Sequence, residues 1–94
     1  MPKIRLKYLA PICDIVGTYQ ETLDAPEGTT LMDVVAILCE RYGESVRELF
    51  FDDSGTFRPM FIIICDGEAM DLEDMGSPLD DGVRCAFVPP IAGG

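Results

Sequence analysis

Thr29-Thr30-Leu31-Met32-Asp33-Val34-Val35-Ala36-Ile37-Leu38-Cys39-Glu40-Arg41-Tyr42-Gly43 is the stretch on which the fold turns, because it carries the clearest helical periodicity in the chain. Leu31, Val34, Val35, Leu38 and Tyr42 follow the i, i+3, i+4 spacing and define one apolar face. Thr30 can accept the N–H of Asp33 as an N-cap, while Asp33 places negative charge in the first turn. Gly43 supplies a C-cap. Glu44 to Phe50 can add a short second helical turn. A helix with a single apolar face needs a sheet to cover, and the flanking segments supply one.

Upstream, residues 3–9 read as a strand. Ile4, Leu6 and Tyr8 alternate with Lys3, Arg5 and Lys7, so one face is apolar and the other basic. Pro11 through Gly17 interrupt the pattern and read as a turn. Residues 18–24 resume a β-like composition, which predicts a hairpin, and Pro26-Glu27-Gly28 ends it. Downstream, Asp52-Asp53-Ser54-Gly55 is turn chemistry. Met60 to Cys65 is an apolar run too short for a helix and suited to an interior strand. Asp66-Gly67 closes it as a hairpin turn would. Residues 68–79 read as irregular, with Met70, Leu72 and Leu79 as apolar anchors. Asp80-Asp81-Gly82 is another turn, and Val83 to Val88 is the last strand. The order strand, strand, helix, strand, irregular segment, strand predicts an α+β fold of β-grasp type. Its mixed four- to five-stranded sheet would be covered by one main helix, with the domain at 1–88 and an extended tail at 89–94.

Ninety-four residues fit one domain. A hydrophobic content of 48% with 26% charged residues argues for a packed globule rather than a disordered chain. No apolar run approaches the ~18 residues of a membrane span. The N-terminus lacks the continuous apolar stretch of a signal peptide. These features predict a cytoplasmic protein with no membrane partner. The net charge of −10 would be repelled by phosphate backbones, so nucleic acid is not expected as a partner. Partners with basic grooves are favoured instead. Seven acids fall between Asp66 and Asp81 without a Lys or Arg, and form either a solvated face or a docking surface. Cys13, Cys39, Cys65 and Cys85 are far apart in sequence, with no C-x-x-C pair and no His in the chain. Neither a metal site nor a disulfide framework follows from that spacing. Three of the four sit in apolar stretches and read as buried free thiols; Cys13, in a predicted turn, is the candidate for reactivity.

The last residues hold most of the functional information. Pro89-Pro90 cannot extend a sheet by hydrogen bonding and holds the chain extended. Six extended residues would reach about 20 Å beyond the domain. Gly93 and Gly94 lack side chains, so a terminal carboxylate could enter a channel only as wide as backbone.

With this ending the sequence resembles the MoaD/ThiS group of ubiquitin-like sulfur carriers, which includes the small subunits of molybdopterin synthase. The resemblance runs over nearly the whole length. It rests on the opening strand, on Pro26-Glu27-Gly28-Thr29-Thr30-Leu31, on Pro78-Leu79-Asp80-Asp81-Gly82, and above all on Val88-Pro89-Pro90-Ile91-Ala92-Gly93-Gly94. Asp66 stands where the group often has Asn, Val88 where an aromatic is common, and the 44–59 segment is longer than in the smallest members.

The resemblance implies a chemistry. A ubiquitin-activating-like enzyme uses ATP to adenylate the carboxylate of Gly94, and sulfur from a persulfide enzyme then displaces AMP. The thiocarboxylate so formed donates its sulfur inside a partner such as the large subunit of molybdopterin synthase. Pro89, Pro90, Ile91, Ala92 and Gly93 would thread into the partners' active sites. The chain would bind no cofactor or metal and would not be an enzyme on its own. The absence of a P-loop, a dinucleotide fingerprint and any His agrees with that division of labour. Sulfur delivery to cysteine biosynthesis or to tRNA thiolation, conjugation to proteins through Gly94, and a plain interaction module remain as other readings. If Val83, Cys85 and Phe87 face the helix, then Arg84, Ala86 and Val88 face outward, as do Lys3, Arg5, Lys7 and Leu9. Parallel first and last strands would bring Leu9 to Val88, giving a docking patch of Leu9, Ala86, Val88 and part of the central strand. The alternative is that residues 66–79 fold over that surface and bury it.

Overall fold

The computed structural model of this chain describes residues 1–89. The alternation at the N-terminus produces strand β1 (Lys3–Tyr8), with Ile4, Leu6 and Tyr8 buried and Lys3, Arg5 and Lys7 exposed. β1 pairs antiparallel with β2 (Gln20–Asp24). Between them lies a departure from expectation. Pro11 to Gly17 contain a five-residue helix, α1 (Ile12–Val16), closed by Gly17 in the left-handed region at φ 87°. Ile12 is fully buried while Ile15 and Val16 pack against the core. Burial of those side chains stabilises a helix too short to leave a periodic signal in sequence.

The main helix α2 (Leu31–Tyr42) forms where its periodicity places it. Thr30 Oγ1 accepts the Asp33 N–H at 3.1 Å, and Asp33 Oδ2 accepts the Thr30 N–H at 2.9 Å. This reciprocal capping box satisfies two helix-end donors that would otherwise lack partners. Leu31, Val34, Val35, Leu38 and Cys39 are buried. Gly43 ends the helix at φ 80°, and α3 (Glu44–Phe50) follows at once.

β3 (Ile62–Cys65) turns through Asp66-Gly67, both at positive φ, into a short strand β4 (Glu68–Ala69). This is the two-residue hairpin whose twist matches the strands. The rest of the stretch read as irregular includes a 3₁₀ helix at Leu72–Gly76. There the anchors differ from those expected: Leu72 is 70% exposed, whereas Met75 is buried. The 3₁₀ turn points Met75, and not Leu72, back at the core; Met70 and Leu79 are half-buried against it. β5 (Arg84–Val88) completes the sheet in the order β2-β1-β5-β3-β4. β1 and β5 are parallel and the other neighbours antiparallel. A five-stranded mixed sheet with the helices on one face is the β-grasp fold.

One polar cluster ties the end of α2 to the sheet. Tyr8 Oη donates to Glu21 Oε2 at 2.5 Å, Tyr42 Oη donates to the same carboxylate at 3.1 Å, and Arg41 Nη1 donates to Glu21 Oε1 at 2.9 Å. Burial first, and then the Glu21 carboxylate, push the Tyr8 phenol well above its ordinary range, so it remains a donor. Glu21→Ala leaves that buried hydroxyl without its acceptor and is expected to lower unfolding free energy by about 2–3 kcal/mol in urea titration. Thr30→Ala opens the capping box and is expected to cost about 1 kcal/mol by the same measurement.

Candidate functional site

Gly94, Ile91, Ala92, Gly93 and Pro90 lie outside the described residues. Of the predicted tail, Pro89 alone is described, exposed just past the end of β5. The structure therefore defines the base from which the tail leaves. That base is held on both sides. β5 runs parallel to β1, from Arg5 opposite Arg84 to Tyr8 opposite Phe87. On its other side it runs antiparallel to β3, from Cys65 opposite Cys85 to Ile62 opposite Val88.

Phe87 pins the end of the strand into the core. Its ring is fully buried, parallel to Tyr8 at 6.1 Å between centroids, and edge-on to Phe50 at 5.5 Å and Phe61 at 6.3 Å. Edge-to-face arrangements at such distances suit the ring quadrupoles. Strand alternation put Phe87 inward. It gave no sign that Tyr8 of β1, Phe50 of α3 and Phe61, just before β3, close around it.

On the opposite face, Ala86 and Val88 are half-buried beside Ile64 and Ile62, their partners in the ladder. Ile62 is 44% exposed, so the apolar strip continues onto β3. Leu9 is placed differently. The β1–β5 ladder stops at Tyr8 and Phe87, one residue short of it, and the Leu9 carbonyl accepts the Cys13 N–H of α1 at 3.1 Å. Ala86 and Val88 are thus joined by Ile62 and Ile64 on the open face, while Leu9 stands half-buried at the strand end. Residues 66–79 do not cover this surface. β4 extends the sheet edge beside β3, the 3₁₀ helix contacts α2, and the Leu79 N–H reaches the Thr29 carbonyl at 2.8 Å on the helix side.

The β1 side of the same face is basic. Lys3, Arg5, Lys7 and Arg84 all project there, four of the seven Lys and Arg residues in the chain. Lys3 pairs with Asp24 at 2.8 Å, which raises the lysine pKa and lowers that of the aspartate. Arg5, Lys7 and Arg84 have no ion pair among the described residues, and Arg5 and Arg84 sit side by side in the ladder. Three acids of the 66–81 run serve the backbone. Asp66 Oδ1 accepts the Arg84 N–H at 3.1 Å, Asp74 Oδ2 that of Asp71 at 2.8 Å, and Asp81 Oδ1 that of Lys3 at 2.7 Å. Among the described residues no three Cys, Asp or Glu side chains assemble as metal ligands. No helix there is long and apolar enough to cross a membrane. Cys13 lies half-buried in α1, and the other three thiols are buried.

Comparison with known proteins places this architecture in a family. The ThiS family model matches residues 6–94. Small archaeal modifier protein 3 of Haloferax volcanii is 28% identical over 93 residues, spanning 98% of this chain and 99% of the relative. Small archaeal modifier protein 1 of H. volcanii superposes with a TM-score of 0.80 at 20% identity, over 97% of this chain and 100% of that one. A chain from the complex of subunits 1 and 2 of the molybdopterin-converting factor of Helicobacter pylori superposes at 0.61 with 22% identity, over 98% and 99%.

The contrast between neighbouring residues of β5 can be measured. Phe87→Ala removes the ring from a closed aromatic cluster and is expected to cost about 3–5 kcal/mol in chemical denaturation. Val88→Asp, on the open face, is expected to cost less than about 1 kcal/mol.

Proposed function

This chain belongs to the ThiS family, and we propose that it carries sulfur on its Gly94 carboxylate. A carboxylate oxygen of Gly94 attacks the α-phosphorus of ATP within a ubiquitin-activating-like enzyme, and pyrophosphate leaves. A persulfide sulfur on a donor enzyme then attacks the acyl carbon and expels AMP. Cleavage of the remaining S–S bond by a thiol releases the thiocarboxylate. The chain is the carrier and sulfur the carried group, and the catalytic residues belong to its partners. The observation that carries this reading is a family match that runs through residue 94, on a fold whose last strand leads from the middle of the sheet into Pro89.

The partner we favour is the large subunit of a molybdopterin synthase, which would take the tail into its active site, by analogy with the two-subunit assembly of the H. pylori converting factor. Leu9, Ala86 and Val88 form part of the surface that the activating enzyme and the large subunit would cover while Pro90, Ile91, Ala92 and Gly93 enter their active sites. A second reading has its own support: the H. volcanii relative is named a modifier protein, and conjugation of Gly94 to a lysine amine would begin from the same acyl adenylate. Delivery to cysteine biosynthesis or tRNA thiolation would use the same thiocarboxylate with another acceptor.

Intact-mass measurement after incubation with activating enzyme, ATP and a persulfide donor tests the proposal. Replacement of one oxygen by sulfur, located at Gly94, is expected, and deletion of Gly94 should abolish it. A mass that never changes argues against the carrier reading, whereas Gly-Gly remnants on lysines in cell digests would support conjugation. Val88→Asp should weaken binding to the activating enzyme about tenfold or more without unfolding the domain.

A further inference from the structure

Sequence spacing separates Cys65 from Cys85, but the sheet puts them face to face. They are directly opposed in the antiparallel β3–β5 ladder, and both side chains point to the helix side, 3% and 2% exposed. The Asp66 N–H donates to the Arg84 carbonyl at 2.8 Å and the Arg84 N–H donates to Asp66 Oδ1 at 3.1 Å, so Asp66 and Arg84 face each other at a hydrogen-bonding position of the ladder. Antiparallel ladders alternate, so Cys65 and Cys85 occupy the narrow non-hydrogen-bonded position, where Cα atoms are about 4.5 Å apart. A disulfide spans Cα separations of roughly 4.4–6.8 Å, so the backbone already lies within range.

We propose that Cys65 and Cys85 are an oxidative modification site, a reduced thiol pair poised to close into a cross-strand disulfide on exchange with a small-molecule disulfide. The proposal does not rest on the sulfur-carrier reading. The neighbouring Cys65 thiol and burial together push the Cys85 thiol up and hold it protonated. Cys65, on the strand nearer the sheet edge, is the attacking sulfur. It displaces one thiolate from the external disulfide and forms a mixed disulfide. Cys85 then gives up its proton, attacks the Cys65 sulfur and releases the second thiol. Two protein thiols are oxidised and one external disulfide is reduced to two thiols. Access comes from the sheet edge, since beyond β3 there is only the short β4, whose residues Glu68 and Ala69 are exposed. Local opening at such an edge is cheaper than global unfolding. The link would fasten β3 to β5, the strand that leads into the tail.

Peptide mapping of the native, full-length protein after incubation with oxidised glutathione and alkylation of the remaining thiols tests this. Trypsin cuts after Arg84 and so separates the peptide holding Cys65 from the one beginning at Cys85. The expected result is a disulfide joining those two peptides, an intact mass lower by two hydrogens, an unchanged folded signal and a Tm raised by roughly 5–10 °C. Cys85→Ser should abolish the link and the Tm gain, and the wild-type map stands without that variant. Alkylated Cys65 and Cys85 beside a glutathione adduct on Cys13 alone would overturn the proposal. So would a link that forms only as the folded signal is lost.

Discussion

Burial of Phe87 among Tyr8, Phe50 and Phe61 is the contact on which the rest of this architecture depends. Tyr8 reaches it because β1 and β5 are parallel neighbours, and Phe50 reaches it because Gly43 lets α3 start directly after α2. An aromatic side chain buries more apolar area than any aliphatic one, and here four rings share one site. Closing that site fixes the last strand in the middle of the sheet, although it comes last in the chain. The hydrogen-bonding groups of β5 are taken up on both edges. Val88 is therefore held at a fixed point in the sheet.

The charge of the molecule is unevenly distributed, and this changes what its net value implies. A total of −10 suggests partners with basic grooves. The open sheet face, however, carries Lys3, Arg5, Lys7 and Arg84 beside the apolar strip of Ile62, Ile64, Ala86 and Val88. Neighbouring cations such as Arg5 and Arg84 repel only weakly where both are exposed and screened by salt. Their local field favours carboxylates next to apolar groups on a docking protein, opposite in sign to the expectation from total charge. Long-range attraction and local fit are thus governed by different parts of this surface. Three of the acids in the 66–81 run hold backbone N–H groups, so that run is in part a structural device.

Much of the fold was legible because the signals were local. Alternation gave β1 and β5, the Thr30–Asp33 pair and the spacing of Leu31 to Leu38 gave α2, and Asp66-Gly67 gave the hairpin. The features without a sequence signal are either short or non-local. Five residues of α1 and two of β4 leave no periodic trace. Leu72 reads as an anchor and Met75 does not, because only the 3₁₀ geometry decides which one turns inward. The aromatic cluster, the convergence of Tyr8, Tyr42 and Arg41 on Glu21, and the opposition of Cys65 and Cys85 are products of strand order. Of the candidate site, the outward Ala86 and Val88 follow from alternation. The position of Leu9 does not, because β1 stops one residue before it to begin α1.

Native-state hydrogen exchange of the β5 amides is the most direct test of the central claim, that the tail's base is as rigid as the core. If Phe87 and its neighbours lock that strand, the amides of Cys85, Ala86 and Phe87 should exchange only through global unfolding. Their protection should then equal the stability measured by denaturant. Exchange of those amides through local fraying, well below the global value and unaffected by denaturant, would contradict the account.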